Sequence, residues 1–315
     1  TWLLESFAYA NEKLGLDATL VVLTRRIDAT EKKLPHIFQL GNVYFQEGDV
    51  RSFDFPLQRF SHIIHAATAA GTESLDLDPL QSLDTILTGT RRVLNFARTS
   101  GVEKFLYLSS GAVYGTQSPN LSHVTEEYLG APDPLDLKAT YGHSKRMAEH
   151  LAVLCGKQFS FEVKIARPFA FMGPYLPLDA AFAAGNFLGN ILSGKPIEIL
   201  GDGTPMRSYL YAADLTVWLW TILFAGPSGR AYNVGSEEAM SISDLARVMV
   251  SLIPSSSPTE IRIARNPIEG VQAVRYVPST QRAQTELHLQ QTYSLVESIE
   301  KMMRWYRSRR ENGTH

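Results

Sequence analysis

Tyr141 and Lys145 stand four residues apart in "YGHSK", a spacing that puts both side chains on one face of a helix. A free phenol has a pKa of about 10. An ammonium nearby favours phenolate and brings the group into proton-transfer range. Such a pair takes a proton from a hydroxyl as hydride leaves the same carbon, or returns one in the reverse direction. Ser110, at the end of "KFLYLSS", supplies a further hydroxyl that would hydrogen-bond the reacting hydroxyl and orient it. Tyr-x-x-x-Lys alone is common by chance. Its meaning depends on the elements that carry it.

Those elements alternate. Short runs rich in apolar and β-branched residues, "TLVVLTR" (Thr19–Arg25), "VYFQEGD" (Val43–Asp49), "HIIHAA" (His62–Ala67), "KFLYLSS" (Lys104–Ser110) and "FEVKIARP" (Phe161–Pro168), read as buried strands. Between them "PLQSLDTILTGTRRVLNFARTSG" (Pro79–Gly101) is an amphipathic helix closed by glycine, and a second helix is expected over Thr140–Lys157. A first helix, with Trp2, Leu3, Leu4, Phe7 and Leu14 on one side, opens the chain. The alternation predicts an α/β fold, a doubly wound parallel sheet of Rossmann type covered on both faces. Ligands of such sheets bind outside the carboxyl ends of the strands. Ser110 ends a strand and Tyr141 opens a helix, so both fall at that edge, where a nicotinamide cofactor would sit and Lys145 would also hold its ribose.

After about residue 168 the pattern changes to Pro- and Gly-rich loops with scattered helices, ending in one near Ser294–Arg310. The expected division is a dinucleotide-binding unit over 1–168 and a smaller mixed α/β substrate unit over 169–315, with segments returning to the first sheet. The stripe of Trp218, Leu219, Leu223 and Phe224 reads as core, "GDG" (Gly201–Gly203) as a turn, and the basic tail "RWYRSRRENGTH" as a frayed, solvated helix end.

The net charge of −2 lacks the basic excess that phosphate-backbone binding requires, so no nucleic-acid partner is expected. With one cysteine, Cys155, no intramolecular disulfide forms, and that residue reads as a small buried hydrophobe. The longest apolar run, Leu215–Gly226, is too short to span a bilayer, and the first residues lack a signal-peptide pattern. A soluble cytoplasmic protein without a membrane partner is expected. His62 and His65 fall on opposite faces of a strand and no His-Glu-x-x-His pattern occurs, so no metal site is expected.

"LSSGAVYG" (Leu108–Gly115) followed by "YGHSKRMAE" (Tyr141–Glu149) resembles the extended short-chain dehydrogenase/reductases, in particular the NAD(P)-dependent nucleotide-sugar epimerase/dehydratase branch. The resemblance continues through "ARPFAFMGP" (Ala166–Pro174), "SGKPIEILGDGTPMRSYLYAAD" (Ser193–Asp214), "AYNVGS" (Ala231–Ser236) and "RYVPST" (Arg275–Thr280), covering essentially the whole chain. It implies Ser110, Tyr141 and Lys145 as the catalytic trio. Arg207 and Arg275 would reach the diphosphate of a nucleoside-diphosphate sugar, for which a guanidinium fork is suited. It further implies that Asp49 faces the adenine, and that Val50, Ala66 and Ala67, with Tyr141 and Lys145, complete a cofactor-binding set. Members of the family commonly dimerise, which implies a homodimer formed by the Pro79–Gly101 and Thr140–Lys157 helices.

The chain departs from the pattern in five places. The glycine-rich turn that meets a cofactor pyrophosphate is not found in the sequence, and a segment carrying it is expected ahead of Thr1. The second strand of the family pattern ends in Thr24, Arg25 and Arg26 with no acid before Asp28, which favours NADP over NAD. Gly111 and Ala112 replace the Asp-Glu that resembling 4,6-dehydratases carry after the catalytic hydroxyl residue, so that elimination is not expected. Ala170 and Ser208 stand where family members often carry asparagine and aspartate. The leading expectation is an epimerase working by hydride transfer at a ring carbon, C4 first, of a nucleoside-diphosphate sugar. An NADPH-dependent 4-ketoreductase, a sugar-uronate decarboxylase and a catalytically silent nucleotide-binding or sensor protein are the competing readings.

Overall fold

A computed structural model describes residues 1–68, 78–180, 182–253 and 259–311. Strands β1 (Leu20–Thr24) and β2 (Val43–Glu47) form one parallel pair. Strands β3 (His62–His65), β4 (Lys104–Leu108) and β5 (Glu162–Pro168) form a second parallel sheet, to which β10 (Arg230–Val234) returns. Its order is β10-β5-β4-β3, and β10 lies on the far side of β5. Strands β1 to β4 stop one or two residues short of the carboxyl ends of the apolar runs, where the chain turns towards the site, whereas β5 ends with its run at Pro168. Among the described residues β1 and β3 are not paired, so the sheet is in two parallel pieces rather than one.

Three helices cover the four-stranded sheet. On one face lie α4 (Pro79–Ser100) and α5 (Thr140–Phe159). Val93, Leu94, Ala97, Ala148 and Ala152 there pack on Phe105, Tyr107, Val163 and Ile165. On the other face α7 (Ala212–Ala225) sets Trp218, Leu219 and Ile222 against Leu106 and Ala166. Both faces of β4 and β5 are thereby dry, which is why these strands are apolar on alternate and intervening positions alike. Local sequence fixes the helix ends. The Asp78 carboxylate accepts the Gln81 N–H at 2.9 Å ahead of Pro79, and Gly101 closes α4 at φ 77°, a left-handed conformation that favours glycine.

The second half builds its own core. Helices α6 (Ala183–Leu192), α8 (Ile242–Ser251) and α10 (Leu295–Glu311) enclose Phe187, Leu188, Leu245, Met249, Ile299 and Met302. Ser294 and Glu297 cap α10 reciprocally, each side chain accepting the other's backbone N–H at 3.3 Å and 2.8 Å. Short strands β8 (Met206–Arg207) and β13 (Arg275–Tyr276) pair in parallel beside β11 (Met240–Ser241).

The first helix, α1 (Trp2–Leu14), ends at the left-handed Gly15, and Leu14 on its last turn is exposed. Two side chains and the basic tail differ from expectation. Phe224 is exposed because it lies on the last turn of α7, stacked on Trp220, and not in the core. Cys155 is only partly buried, at the edge of the main cluster. The tail is not simply solvated either, since Arg310 donates to the Leu192 carbonyl and Arg309 covers the Trp305 ring. Its last four residues lie outside the described residues. Among the described residues no helix is long and apolar enough to cross a membrane.

Candidate active site

Ser110 leaves the end of β4 as the cap of a 3-10 turn over Gly111–Tyr114, its Oγ accepting the Ala112 N–H at 3.2 Å. Tyr141 is the second residue of α5, and Lys145 follows one turn on. The structure therefore brings the three residues to one place, at the carboxyl edge of β4. Lys145 is 2% exposed; its Nζ donates to the Leu108 carbonyl at 2.8 Å and stands 5.8 Å from the Tyr141 ring centre.

The electrostatics differ from the simple expectation. Burial pushes the Tyr141 phenol above its ordinary value, and the opposing influences are the Ser110 and Thr68 hydroxyls, not the Lys145 ammonium. Burial also brings Lys145 down to about 8, against a smaller upward pull from Glu149. In a site without ligand, desolvation of both groups outweighs their mutual stabilisation. His65, behind Lys145 and bonded to Thr90 at 3.0 Å, is held neutral by burial first and by Lys145 second, with a pKa of about 3.

A cleft of about 390 Å³ lies beyond this trio; none of the three lines it, and Thr68 in its wall, whose hydroxyl bears on Tyr141, links the two. Thr24 and Arg25 enter it from β1, Asp49 and Val50 from the turn after β2, and Ala66 and Ala67 from the end of β3. Asp49 is committed to Arg51, which grips both carboxylate oxygens at 2.9 and 2.8 Å and holds the carboxyl at about 2. Arg26 does not line the cleft. It points to solvent and pairs with Asp28 at 2.8 Å, because the chain turns into the short helix α2 (Ile27–Lys33) at that residue. The cleft wall also carries the Ser82 hydroxyl, 1% exposed and, among the described residues, without a hydrogen-bond partner. An orphaned buried hydroxyl in a roomy polar wall fits a dinucleotide whose ribose and phosphate oxygens need partners.

The two arginines are not brought together. In the parallel register Tyr276 pairs with Arg207 and Arg275 with Met206. The Arg207 guanidinium lies 5.7 Å over the Tyr276 ring and donates to the Met206 carbonyl at 2.9 Å. Burial lowers its pKa, and among the described residues no carboxylate pairs with it. Arg275 instead reaches the Ser122 carbonyl at 3.3 Å.

Sequence reasoning passed over two features. Tyr276 stands 3.5 Å from Ser110 Oγ by way of its hydroxyl. A Cβ built on Gly111 would lie 2.7 Å from both that hydroxyl and Phe169 Cζ. The site has no room for an acidic side chain after Ser110, which adds a steric reason to the chemical one against an elimination of the 4,6-dehydratase design. Tyr276 was visible as the neighbour of Arg275 in "RYVPST", but nothing local marked it. Among the described residues no group of metal-ligating side chains is close enough to hold an ion.

A doubly wound sheet with a Tyr-x-x-x-Lys pair and a serine at its carboxyl edge is the plan of a dinucleotide-binding fold. The family match makes this specific: residues 8–235 match the NAD dependent epimerase/dehydratase family, and the chain belongs to it. Relatives include UDP-glucuronic acid decarboxylase 1 of Arabidopsis thaliana, 27% identical over 300 residues, covering 94% of this chain and 66% of the relative. The Xenopus tropicalis protein of the same name is 28% identical over 79% of this chain, which covers 58% of the relative's length. The chain thus spans less than two thirds of these relatives. Among solved structures, UDP-glucuronic acid 4-epimerase from Bacillus cereus, in complex with UDP-glucuronic acid and NAD, superposes with a TM-score of 0.82 at 23% identity. That likeness covers 97% of this chain and 95% of the other. UDP-glucose 4-epimerase from Thermotoga maritima gives 0.80 at 19% identity, over 96% and 94%.

Proposed function

We propose that the protein is a nucleotide-sugar epimerase that uses Tyr141 and Lys145 for reversible hydride transfer at a ring carbon, C4 first, of a nucleoside-diphosphate sugar. The observation that carries this reading is the gathering of Ser110, Tyr141 and Lys145 at one sheet edge beside the cleft. Tyr141 takes the proton of the ring hydroxyl and gives it back after the sugar has turned. Ser110 orients that hydroxyl, and Lys145, already held on the Leu108 carbonyl, stabilises the phenolate. NAD, when bound, supplies the hydride acceptor and donor; its positive charge adds to the field that favours phenolate. Thr24, Arg25, Asp49, Val50, Ala66 and Ala67 would hold its adenosine half and Lys145 its other ribose. Arg26, turned to Asp28, drops out of that set.

The substrate assignment rests on Arg207. A half-buried guanidinium without a carboxylate is costly unless an anion completes it, and a diphosphate is such an anion. Arg275 joins it only by leaving the Ser122 carbonyl. An epimerase needs no acid-base pair beyond Tyr141, in agreement with Gly111 and Ala112 after Ser110. The decarboxylase reading has its own support in the relatives named above, and both reactions share the oxidation step. A ketoreductase would instead consume NADPH, and Arg25 in the cleft is the feature that favours it. The assembly we infer is a homodimer through α4 and α5.

Tyr141→Phe is expected to lower turnover by roughly 10²–10⁴ while leaving cofactor affinity within a few-fold, since a positioned general base contributes about that factor. The check is single-turnover kinetics beside a cofactor titration. Turnover that survives the change would overturn the mechanism, and the silent-sensor reading gains if neither wild type nor variant turns over any nucleotide sugar.

A further inference from the structure

Ser110 lies between two phenols. Its hydroxyl lowers the Tyr141 phenol on one side and stands 3.5 Å from the Tyr276 hydroxyl on the other. The latter is longer than a closed O–H···O bond, a spacing common in catalytic hydrogen bonds before substrate arrives. A serine oxygen has two lone pairs and one rotating proton. The Ala112 N–H already occupies one lone pair at 3.2 Å.

We propose that Tyr276 is a positioning residue: its O–H takes the second lone pair of Ser110, so the serine proton is left pointing only towards Tyr141 and the reacting hydroxyl. The inference deepens the reading above and rests on it for the identity of the reacting hydroxyl.

Three observations support this contact. The Gly111 amide also bears on the Tyr276 oxygen, which leaves the phenol's own proton for Ser110. Burial raises the Tyr276 phenol to about 12, so it remains a donor throughout the neutral range. The ring cannot drift: it packs on Phe169 with centres 4.5 Å apart, lies under Arg207, and is fixed by the β8–β13 register. Gly111 belongs to the same device, since any Cβ there would displace the Tyr276 hydroxyl. Arg207, read above as the diphosphate anchor, touches Tyr276 directly, so anchoring of the substrate and aiming of Ser110 share one ring.

Tyr276→Phe keeps the ring and removes one oxygen. The full-length, cofactor-loaded protein would be titrated by ultraviolet difference absorbance, with Tyr141→Phe identifying the transition that belongs to Tyr141. Loss of one hydrogen bond's support predicts that Tyr141 ionises about one pH unit higher in Tyr276→Phe. The rising limb of kcat moves by the same amount, kcat at neutral pH falls about tenfold, and KM changes less than twofold. In a Ser110→Ala background the same change should have no further effect, because Tyr276 acts through Ser110. An unshifted Tyr141 transition, or a shift that persists without Ser110, would overturn the proposal. The titration needs no substrate. Failure to find nucleotide-sugar turnover therefore counts against the proposed function, and an unshifted titration against Tyr276. Thermal unfolding of each variant checks that the fold is retained, and the Ser110→Ala comparison reads the coupling within folded protein.

Discussion

At the scale of residues, Lys145 is held where it is costly. Its folded pKa of about 8 lies below the roughly 10.4 of an unfolded lysine. The unfolded chain therefore binds more protons between those values, and stability rises with pH across that window. Below pH 8 the cost of burying the ammonium is fully present. Replacing Lys145 with Met is expected to remove this dependence: the wild type should gain on the order of 2–3 kcal/mol relative to Lys145→Met between pH 8 and 10.5. Denaturant midpoints of both proteins at the two ends of the window give the answer. Arg25 makes the second prediction at this scale. It lines the cleft, while Arg26 and Asp49 are occupied by Asp28 and Arg51. Arg25→Ala should weaken NADPH binding by about tenfold and NADH binding by less than threefold, a hydrogen bond to a charged group being worth about 1.5–3 kcal/mol; calorimetric titration of both nucleotides checks it. Ser110, Tyr141 and Lys145 were legible in sequence because their spacing follows local elements. Tyr276 was not, because its contact with Ser110 spans 166 residues and exists only once β13 has docked.

At the scale of elements, a buried ion pair ties the trio's helix to the sheet. Arg167 at the end of β5 grips both carboxylate oxygens of Glu149 at 2.9 and 2.7 Å and donates to the Tyr114 hydroxyl at 2.8 Å. Glu149 lies one turn beyond Lys145, so this pair sets the rotation of α5 and with it the direction of the lysine. Arg167→Met should cost about 3–5 kcal/mol, because an uncompensated carboxylate stays buried; urea unfolding measures it, with Tyr141 ionisation shifting at the same time. Glycine enters at one crossing: a Cβ on Gly156 would meet Val163 Cγ2 at 2.6 Å, so α5 lies close on β5 only without a side chain there. The sequence made the helices and strands legible because apolar period and caps agree, as at Asp78, Pro79 and Gly101. It misjudged Phe224 because that residue stands at a helix end, where the periodic pattern continues after the packing partner has stopped.

At the scale of the whole molecule, α4 and α5 lie side by side on the sheet and still expose apolar side chains. Leu80 is 77% exposed, Met147 53% and Leu154 49%. The inferred homodimer would cover them. Met147→Asp combined with Leu154→Asp should convert a dimer to a monomer, read by sedimentation velocity, with the fold retained because both residues already face solvent. A wild type that sediments as a monomer would remove the dimer from the proposed assembly. The alternation of strands and helices showed the parallel α/β plan in advance. It did not show the division of the sheet into β1–β2 and β3–β4–β5–β10, since pairing between strands leaves no periodic mark on either.

One thread through this architecture bears on how the site comes into being. The loop after Ser110 is clasped by the last part of the chain: Val124 N–H donates to the Val277 carbonyl at 2.9 Å, Ser279 N–H to the Val124 carbonyl at 2.7 Å, and Val277 N–H to the Gln117 side chain at 3.0 Å. Asn233, on the last strand of the sheet, joins the same clasp through the Val124 and Ser279 carbonyls. During synthesis the trio is therefore complete as sequence long before it can be complete as geometry. Contacts of this separation are slow to close, and the nascent chain must emerge past Ser279 before its earlier loop can settle. Assembly of the active site is then a late event in folding, and a chain released early would carry the reacting residues with nothing to aim them.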